Sequence, residues 1–290
     1  PRLTQTSGRS TVLSPVAVQR ITPHQLPATL AHGSLLTNSP RENLITLGST
    51  GNTETSGDID IAIDEAEYIP ADIHERMVDS LGDDHCKYNY GTRDGSNAFP
   101  IEGVPANGWV QVDLMYVKNV EWAEFSYYSA GDRSKYKGAL RAILLSAVAG
   151  TIDDPGYDYF EYDEEGELLV RVGWGFYLPV GLKRMFQMRG ISKKTGGWLK
   201  TMKNVEPEEI HARFPDAEFD DEYYFIDRPN LVAQRLFGVG ISAEDLQTVE
   251  QILLLIKNRL LPDRAEKVFQ LAKKRASELA GKMEIPEELK

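Results

Sequence analysis

Residues 58–63 read Asp-Ile-Asp-Ile-Ala-Ile, an alternation of acid and aliphatic with a period of two. Side chains on a β-strand point alternately to opposite faces. The stretch is therefore a strand with Ile59, Ile61 and Ile63 on one face and Asp58 and Asp60 on the other. The isoleucine face must be covered. The carboxylate face repels itself unless a proton or a cation sits among the charges. A chain with this segment builds a sheet buried on at least one side, with a charge problem on the other.

A second strand of this kind follows at Trp109–Val117. There Val110, Val112, Leu114 and Tyr116 alternate with Gln111, Asp113 and Met115, which puts a third acid on the polar side. Asn43–Leu47 is a short apolar run that ends at Gly48-Ser49 and reads as a buried strand, and Thr50–Gly57 is loop. Pro70–Leu81 reads as a helix with Pro70 in its first turn and Gly82 at its end. His85–Tyr90 reads as a strand, Gly91–Asn97 as a turn-rich loop, and Ser134–Ala149 as a helix capped by Gly150. The spacing also predicts short helices at Val16–Ile21 and Gln25–Leu36. Downstream, Asp163-Glu164-Glu165-Gly166 is a hairpin turn leading into a strand at Leu168–Val172. Beyond it the C-terminal part reads as helical. Ser242 with Asp245 resembles a capping box for a helix Ala243–Leu260, and Asp263 caps a last helix running from Arg264 to about Ala280 and ended by Gly281.

The chain has 290 residues and a formal charge of −12, enough length for one large domain or two ordinary ones. The charge is unevenly spread. Residues 51–168 carry 8 basic and 25 acidic side chains, whereas residues 169–204 carry 8 basic and none acidic. The single cysteine, Cys86, excludes a disulfide scaffold and a four-cysteine zinc or iron–sulfur site. His24, His32, His74, His85 and His211 have no zinc spacing. The acidic segment 153–167 lacks the spacing of a calcium hand and reads as a solvated surface. No apolar run reaches the roughly 18 residues needed to span a bilayer. The start, Pro1-Arg2-Leu3-Thr4, shows no signal pattern, so the expectation is a cytoplasmic protein without membrane contact. Nothing in the sequence sets an oligomeric state.

The chemistry is carried by Gly48-Ser49, an eight-residue loop, Asp58-Ile59-Asp60, and then Asp113. Two carboxylates on one strand face with a third from a neighbouring strand are an oxygen donor set for a divalent cation. Mg²⁺ suits such donors and pairs with substrate phosphates, with Mn²⁺ as its substitute. Three carboxylates can serve two such ions. The Gly-Ser turn offers backbone N–H groups and a hydroxyl to phosphate oxygens.

This pattern resembles the DNA polymerase β-like nucleotidyltransferase superfamily over roughly residues 43–145. Its most specific part is Gly48-Ser49 followed by Gly57-Asp58-Ile59-Asp60-Ile61. The resemblance implies an α+β fold, with a small mixed sheet flanked by helices and a mostly helical C-terminal region. It implies a catalytic domain over residues 1–150 and an acceptor-binding region over residues 151–290. Asp58, Asp60 and Asp113 would ligate two Mg²⁺ ions, Asp113 would also polarise the acceptor hydroxyl, and Gly48 and Ser49 would hold the triphosphate. Ser134, Lys135 and Lys137, ahead of the next helix, would contact the outer phosphates.

Between residues 171 and 203 eight cations alternate with Trp174, Phe176, Tyr177, Phe186 and Trp198, a composition suited to phosphate contact and base stacking. Lys183, Arg184, Arg189, Lys193 and Lys194 are the candidate acceptor-binding residues, and Gly190–Gly197 reads as a loop able to close over an acceptor. The expected activity is transfer of a nucleoside monophosphate from an NTP such as ATP to a hydroxyl on RNA, a tRNA end included, with release of pyrophosphate. Transfer to a protein side chain or a small molecule is the alternative within the enzyme class. A non-catalytic nucleotide sensor of the same fold is the alternative outside it.

Overall fold

The computed structural model describes residues 16–89, 94–154, 158–192, 194–279 and 284–290. The fold is α+β, with two sheets among these residues. The chain divides into two compact units, Pro1–Gly138 and Ala139–Lys290.

The first unit runs through helix α1 (Leu26–Thr37), strands β1 (Ile45–Thr46) and β2 (Asp58–Asp64), helix α2 (Pro70–Leu81), strands β3 (Cys86–Asn89), β4 (Asp94–Pro100) and β5 (Trp109–Val117), and helix α3 (Val120–Ser126). Its sheet has the order β1-β2-β5-β4-β3. β2 and β5 are parallel, and the other pairs are antiparallel. A parallel neighbour needs a crossover, and α2 and the β3–β4 hairpin lie within it. Ile59, Ile61, Ile63, Val110, Val112 and Leu114 are fully buried beneath Leu30 and Leu36 of α1 and Ile73 and Met77 of α2. Each such side chain contributes about 1.5–3 kcal/mol on burial. On the opposite face, Ala62, Leu47 and Met115 pack against Ala123 of α3. Helix α2 ends where Gly82, at φ +89°, donates its N–H to Val78 O at 2.8 Å. Gly91, which falls in the turn-rich stretch expected at 91–97, lies outside the described residues, while Asp94–Pro100 is strand.

Val16–Ile21 is not a helix. Ile21 and Ser56 exchange backbone hydrogen bonds at 2.8 Å, and Gln19 N–H reaches Trp109 O at 2.8 Å. These non-local bonds hold the segment extended at the starts of β2 and β5.

The second unit contains helix α4 (Gly138–Ala149), strands β6 (Tyr159–Tyr162), β7 (Leu168–Tyr177), β8 (Gly181–Ile191) and β9 (Trp198–Asn204), helix α5 (Pro207–Arg213), strand β10 (Phe225–Ile226), and helices α6 (Pro229–Phe237), α7 (Val249–Arg259) and α8 (Pro262–Ala276). The expectation of a mostly helical region is corrected here. Strands β6–β10 form a second, antiparallel five-stranded sheet, in which β8 pairs with β7 along one edge and with β10 and β9 along the other. Its core holds Val170, Val172, Phe186 and Met188 with Val205 and Ile210. The predicted hairpin turn joins β6 to β7, with Asp163 N–H bonded to Glu167 O at 3.0 Å. α4 starts at Gly138 rather than Ser134. The helix expected over Ala243–Leu260 is two pieces. Ser242 and Asp245 cap a single 3-10 turn, Ala243–Leu246, and Thr248 with Gln251 forms a separate capping box for α7. Pro262 opens α8, which places Asp263 in its first turn rather than at its cap.

Candidate active site

Parallel pairing puts Asp60 directly opposite Asp113, and Asp58 opposite Gln111. The period of two turns all four toward the same face. Each carboxylate is half-buried, and one carboxylate oxygen from each lies within 4.8 Å of the other two. Burial first, and then the charge of Asp113, push the Asp58 carboxyl above its ordinary value of 3.8; its own backbone N–H and the Arg20 guanidinium pull the other way. Gln111 donates from Nε2 to both oxygens of Asp113 at 3.0 Å, which fixes the plane of that carboxylate. All donors are carboxylate oxygens, the chemistry a hard divalent cation prefers.

The Gly48-Ser49 turn is built against Asp60. Leu47 N–H donates to Asp60 O at 2.8 Å, and Asp60 N–H donates to the buried Thr50 hydroxyl at 3.3 Å. Gly48 sits at φ +64°, and a Cβ there would stand 3.1 Å from Asp60 Oδ2. Glycine thus lets the turn backbone close on the carboxylate. Ser49 O accepts from Asn52 N–H at 3.0 Å.

A second loop is stitched to this turn. Asp132 N–H donates to Asn52 O at 3.1 Å, and Asn52 Nδ2 donates to Ser129 O at 3.4 Å. Gly131, at φ +56°, packs so closely that a Cβ would fall 1.9 Å from Asn52 O. The stitch anchors the chain immediately ahead of Ser134, Lys135 and Lys137. Ser134 is half-buried and accepts Tyr136 N–H at 3.2 Å, forming a turn rather than opening a helix. Lys135 and Lys137 are exposed, and the Lys135 ammonium lies 4.9 Å from the Tyr136 ring centroid.

The candidate acceptor residues on the second unit fare differently. Arg184 is 1% exposed and paired with Asp158 at 3.0 Å, between the rings of Trp174 and Tyr224. Arg189 is 9% exposed and paired with Asp163 at 3.2 Å. Both are corrected from surface cations to internal ones. β8 turns Arg184, Phe186 and Met188 to the covered face, and an arginine there requires a carboxylate. The 153–167 segment is corrected with them, because Asp158 and Asp163 neutralise these arginines. Trp174, Phe176 and Phe186 are core residues. Lys183 is half-buried with its ammonium 4.6 Å from the Tyr177 ring centroid, and Lys194 is exposed. Lys193 lies outside the described residues. Ser192 and Gly197 close the β8–β9 connection by a 2.9 Å backbone bond.

Sequence reasoning missed four contributors near the carboxylates. Gln111 was legible as the neighbour of Asp113 at i−2 on the same strand face. Thr50, Asn52 and Arg20 had no local signal, since each takes its place through a partner distant in the chain. Among the described residues no helix is long and apolar enough to cross a membrane. In comparison with known proteins, no family model, no curated sequence and no solved structure matches this chain.

Proposed function

We propose that this protein is a divalent-metal-dependent nucleotidyltransferase of the polymerase β-like kind. It would transfer a nucleoside monophosphate from an NTP to an acceptor hydroxyl. The observation that carries the reading is the convergence of Asp58, Asp60 and Asp113 within 4.8 Å, hard against the Gly48-Ser49 turn. The mixed β1-β2-β5-β4-β3 sheet with helices on both faces supports the same family.

In this reading Asp58, Asp60 and Asp113 hold Mg²⁺, which when bound neutralises charge on the phosphates and lowers the pKa of an attacking hydroxyl. The acceptor oxygen bonds to the α-phosphorus, the bond from that phosphorus to the β-bridging oxygen breaks, and pyrophosphate leaves. Asp113, held in plane by Gln111, receives the hydroxyl proton. The N–H groups and hydroxyl of Gly48-Ser49 take the outer phosphate oxygens. The Asn52–Gly131 stitch anchors the chain ahead of the Ser134–Lys137 segment, and in this reading Lys135 or Lys137 meets the triphosphate. An RNA acceptor would take Lys183 and Lys194 as its cations. Internal pairing of Arg184 and Arg189 favours the second reading, transfer to a protein side chain or a small molecule.

The test is incubation with each of four labelled NTPs, Mg²⁺ and either purified RNA or protein extract. Label should appear in one acceptor fraction. Asp58→Ala and Asp60→Ala should each reduce transfer by about a thousandfold or more while melting stays cooperative. Undiminished transfer in either variant would sink the assignment. Nucleotide binding without transfer to any acceptor would leave a sensor.

A further inference from the structure

The second sheet has two unlike faces, and β8 displays both. Leu182, Arg184, Phe186 and Met188 are buried, whereas Lys183, Met185 and Gln187 between them are half-buried. The first set includes the core residues Phe186 and Met188. Cross-strand pairing maps the more open face. Phe160 of β6 lies directly opposite Arg171 of β7, and Phe225 of β10 lies directly opposite Lys183 of β8. Lys183 is in turn opposite Gly175 of β7, and the period of two puts Arg171, Gly175 and Tyr177 on one side of that strand. Phe160 and Phe225 are 45% and 59% exposed. The Tyr177 ring lies back over Gly175, where a Cβ would stand 2.6 Å from it, with the Lys183 ammonium 4.6 Å from its centroid.

The cations of the two faces differ as well. Arg184, on the core face, has Asp158. On the open face neither Arg171 nor Lys183 is in an ion pair among the described residues. Arg171 Nη2 donates to Gly150 O, and its Nε is buried without a hydrogen-bond partner. Arg275, also outside any ion pair among the described residues, donates from Nη1 to Ser146 Oγ. Gly150 N–H bonds to Ser146 O at 3.0 Å and continues the turn of α4, so these two contacts are four residues apart on one helix face. Two like charges thus meet at the end of α4.

We propose that this face of the second sheet binds single-stranded nucleic acid, with bases stacked on Phe160 and Phe225 and phosphates held by Arg171, Lys183 and Arg275. Exposed rings, each in register with a cation that has no carboxylate, complement a chain of unstacked bases on an anionic backbone. Phe160 and Phe225 stand about 20 Å apart, four residues along the strands and three strand spacings across, so one strand engages both. A duplex keeps its base faces covered, and an anionic lipid surface has no base to stack. The surface is independent of the nucleotidyltransferase reading and of the acceptor that reaction uses.

The probe is a fluorescent RNA single strand of mixed sequence and about twelve nucleotides, added to the full chain in chelator without NTP and read by anisotropy. The wild type should bind it, less tightly as salt is raised. Lys183→Glu and Arg275→Glu should each weaken binding about tenfold and lessen its salt dependence. Phe160→Ala and Phe225→Ala should each weaken binding about five- to a hundredfold at unchanged salt dependence, and Phe225→Trp should retain it. Undiminished binding in both alanine variants would overturn the proposal, because a polyanion surface without stacking would remain. Equal affinity for a duplex of the same length, or for anionic vesicles, would overturn it too. Absence of binding by the wild type would do the same and leave the nucleotidyltransferase reading standing, since transfer of label decides that reading.

Discussion

The two sheets carry charged side chains on covered or half-covered faces and treat them in opposite ways. In the second sheet the two buried arginines each have their own carboxylate. Asp158 takes Arg184, Asp163 takes Arg189, and Asp154 accepts from Trp174 Nε1 and from Arg235. In the first unit three carboxylates are gathered on one face. Burial and a like charge there push Asp58 upward. Charge that is cancelled inside the fold belongs to the architecture. Charge of one sign that the fold concentrates leaves a donor set that could hold a metal ion. The contrast also reassigns the uneven charge of the sequence, because part of the acidic block at 153–167 neutralises the basic block that follows it.

This contrast can be broken by mutation. The largest effect belongs to the second sheet. Asp158→Ala leaves Arg184 buried without its carboxylate and should destabilise the protein by about 3–5 kcal/mol in chemical denaturation. The double variant Asp158→Leu with Arg184→Met should recover most of that loss. A small effect of the single variant would mean that the pair is not structural, and the contrast would fail.

Gly131→Ala should be intermediate, costing about 1–3 kcal/mol for a side chain at positive φ against the Asn52 carbonyl. It should also weaken binding of a non-hydrolysable NTP analogue, whereas Asp158→Ala should spare analogue affinity in whatever fraction stays folded. If Gly131→Ala left analogue affinity intact, the stitch would have no part in the phosphate site.

The smallest effect has the opposite sign to the first. In chelator at neutral pH, Asp58→Asn should stabilise the protein by about 0.2–1 kcal/mol, by removing one of three like charges. The pH dependence fixes the direction. The folded-state pKa of Asp58 is raised above its ordinary 3.8, so the native state holds that proton more tightly than the unfolded chain does. This group's contribution is therefore most favourable below its unfolded pKa and is lost as pH rises through the folded one. Asp58→Asn should flatten that decline as pH rises above the ordinary carboxyl value of 3.8, and saturating Mg²⁺ should reverse the order of stability. Parallel pH profiles for the two proteins would break the comparison from its other side.

In the first sheet β2 and β5 were legible because they obey their local period, whereas β4, expected as loop over 91–97, was not. Ile59, Ile61 and Ile63 against Asp58 and Asp60, and Val112 and Leu114 against Gln111 and Asp113, declare both faces without reference to anything distant. The second sheet was not legible as a sheet. In β8 the inward positions are Arg184, Phe186 and Met188, and an arginine at a core position reads as surface until Asp158, 26 residues upstream, is known to meet it. The same reason explains Val16–Ile21. Its apolar residues suggested a short helix, but Ser56 and Trp109 decide its conformation. Of the site, the three carboxylates and Gly48 were readable. The supports from Thr50, Asn52, Gly131 and Arg20 depend on loop-to-loop approaches that no periodicity encodes.

The parallel seam between β2 and β5 has a further consequence for how the chain folds. It joins positions 58–64 to positions 111–117, a separation of 53 residues (111 − 58), and so carries a loop-closure cost that local pairings avoid. That closure also drives Asp60 and Asp113 together, so electrostatics resists the step that topology already slows. An ion held by the row has its full donor set only after the seam has closed. At about a hundred times its dissociation constant it would weight the closed seam by about 2.7 kcal/mol. The metal would then be a clasp on the sheet as well as a reagent, and the protein's resistance to unfolding would track the supply of divalent cations.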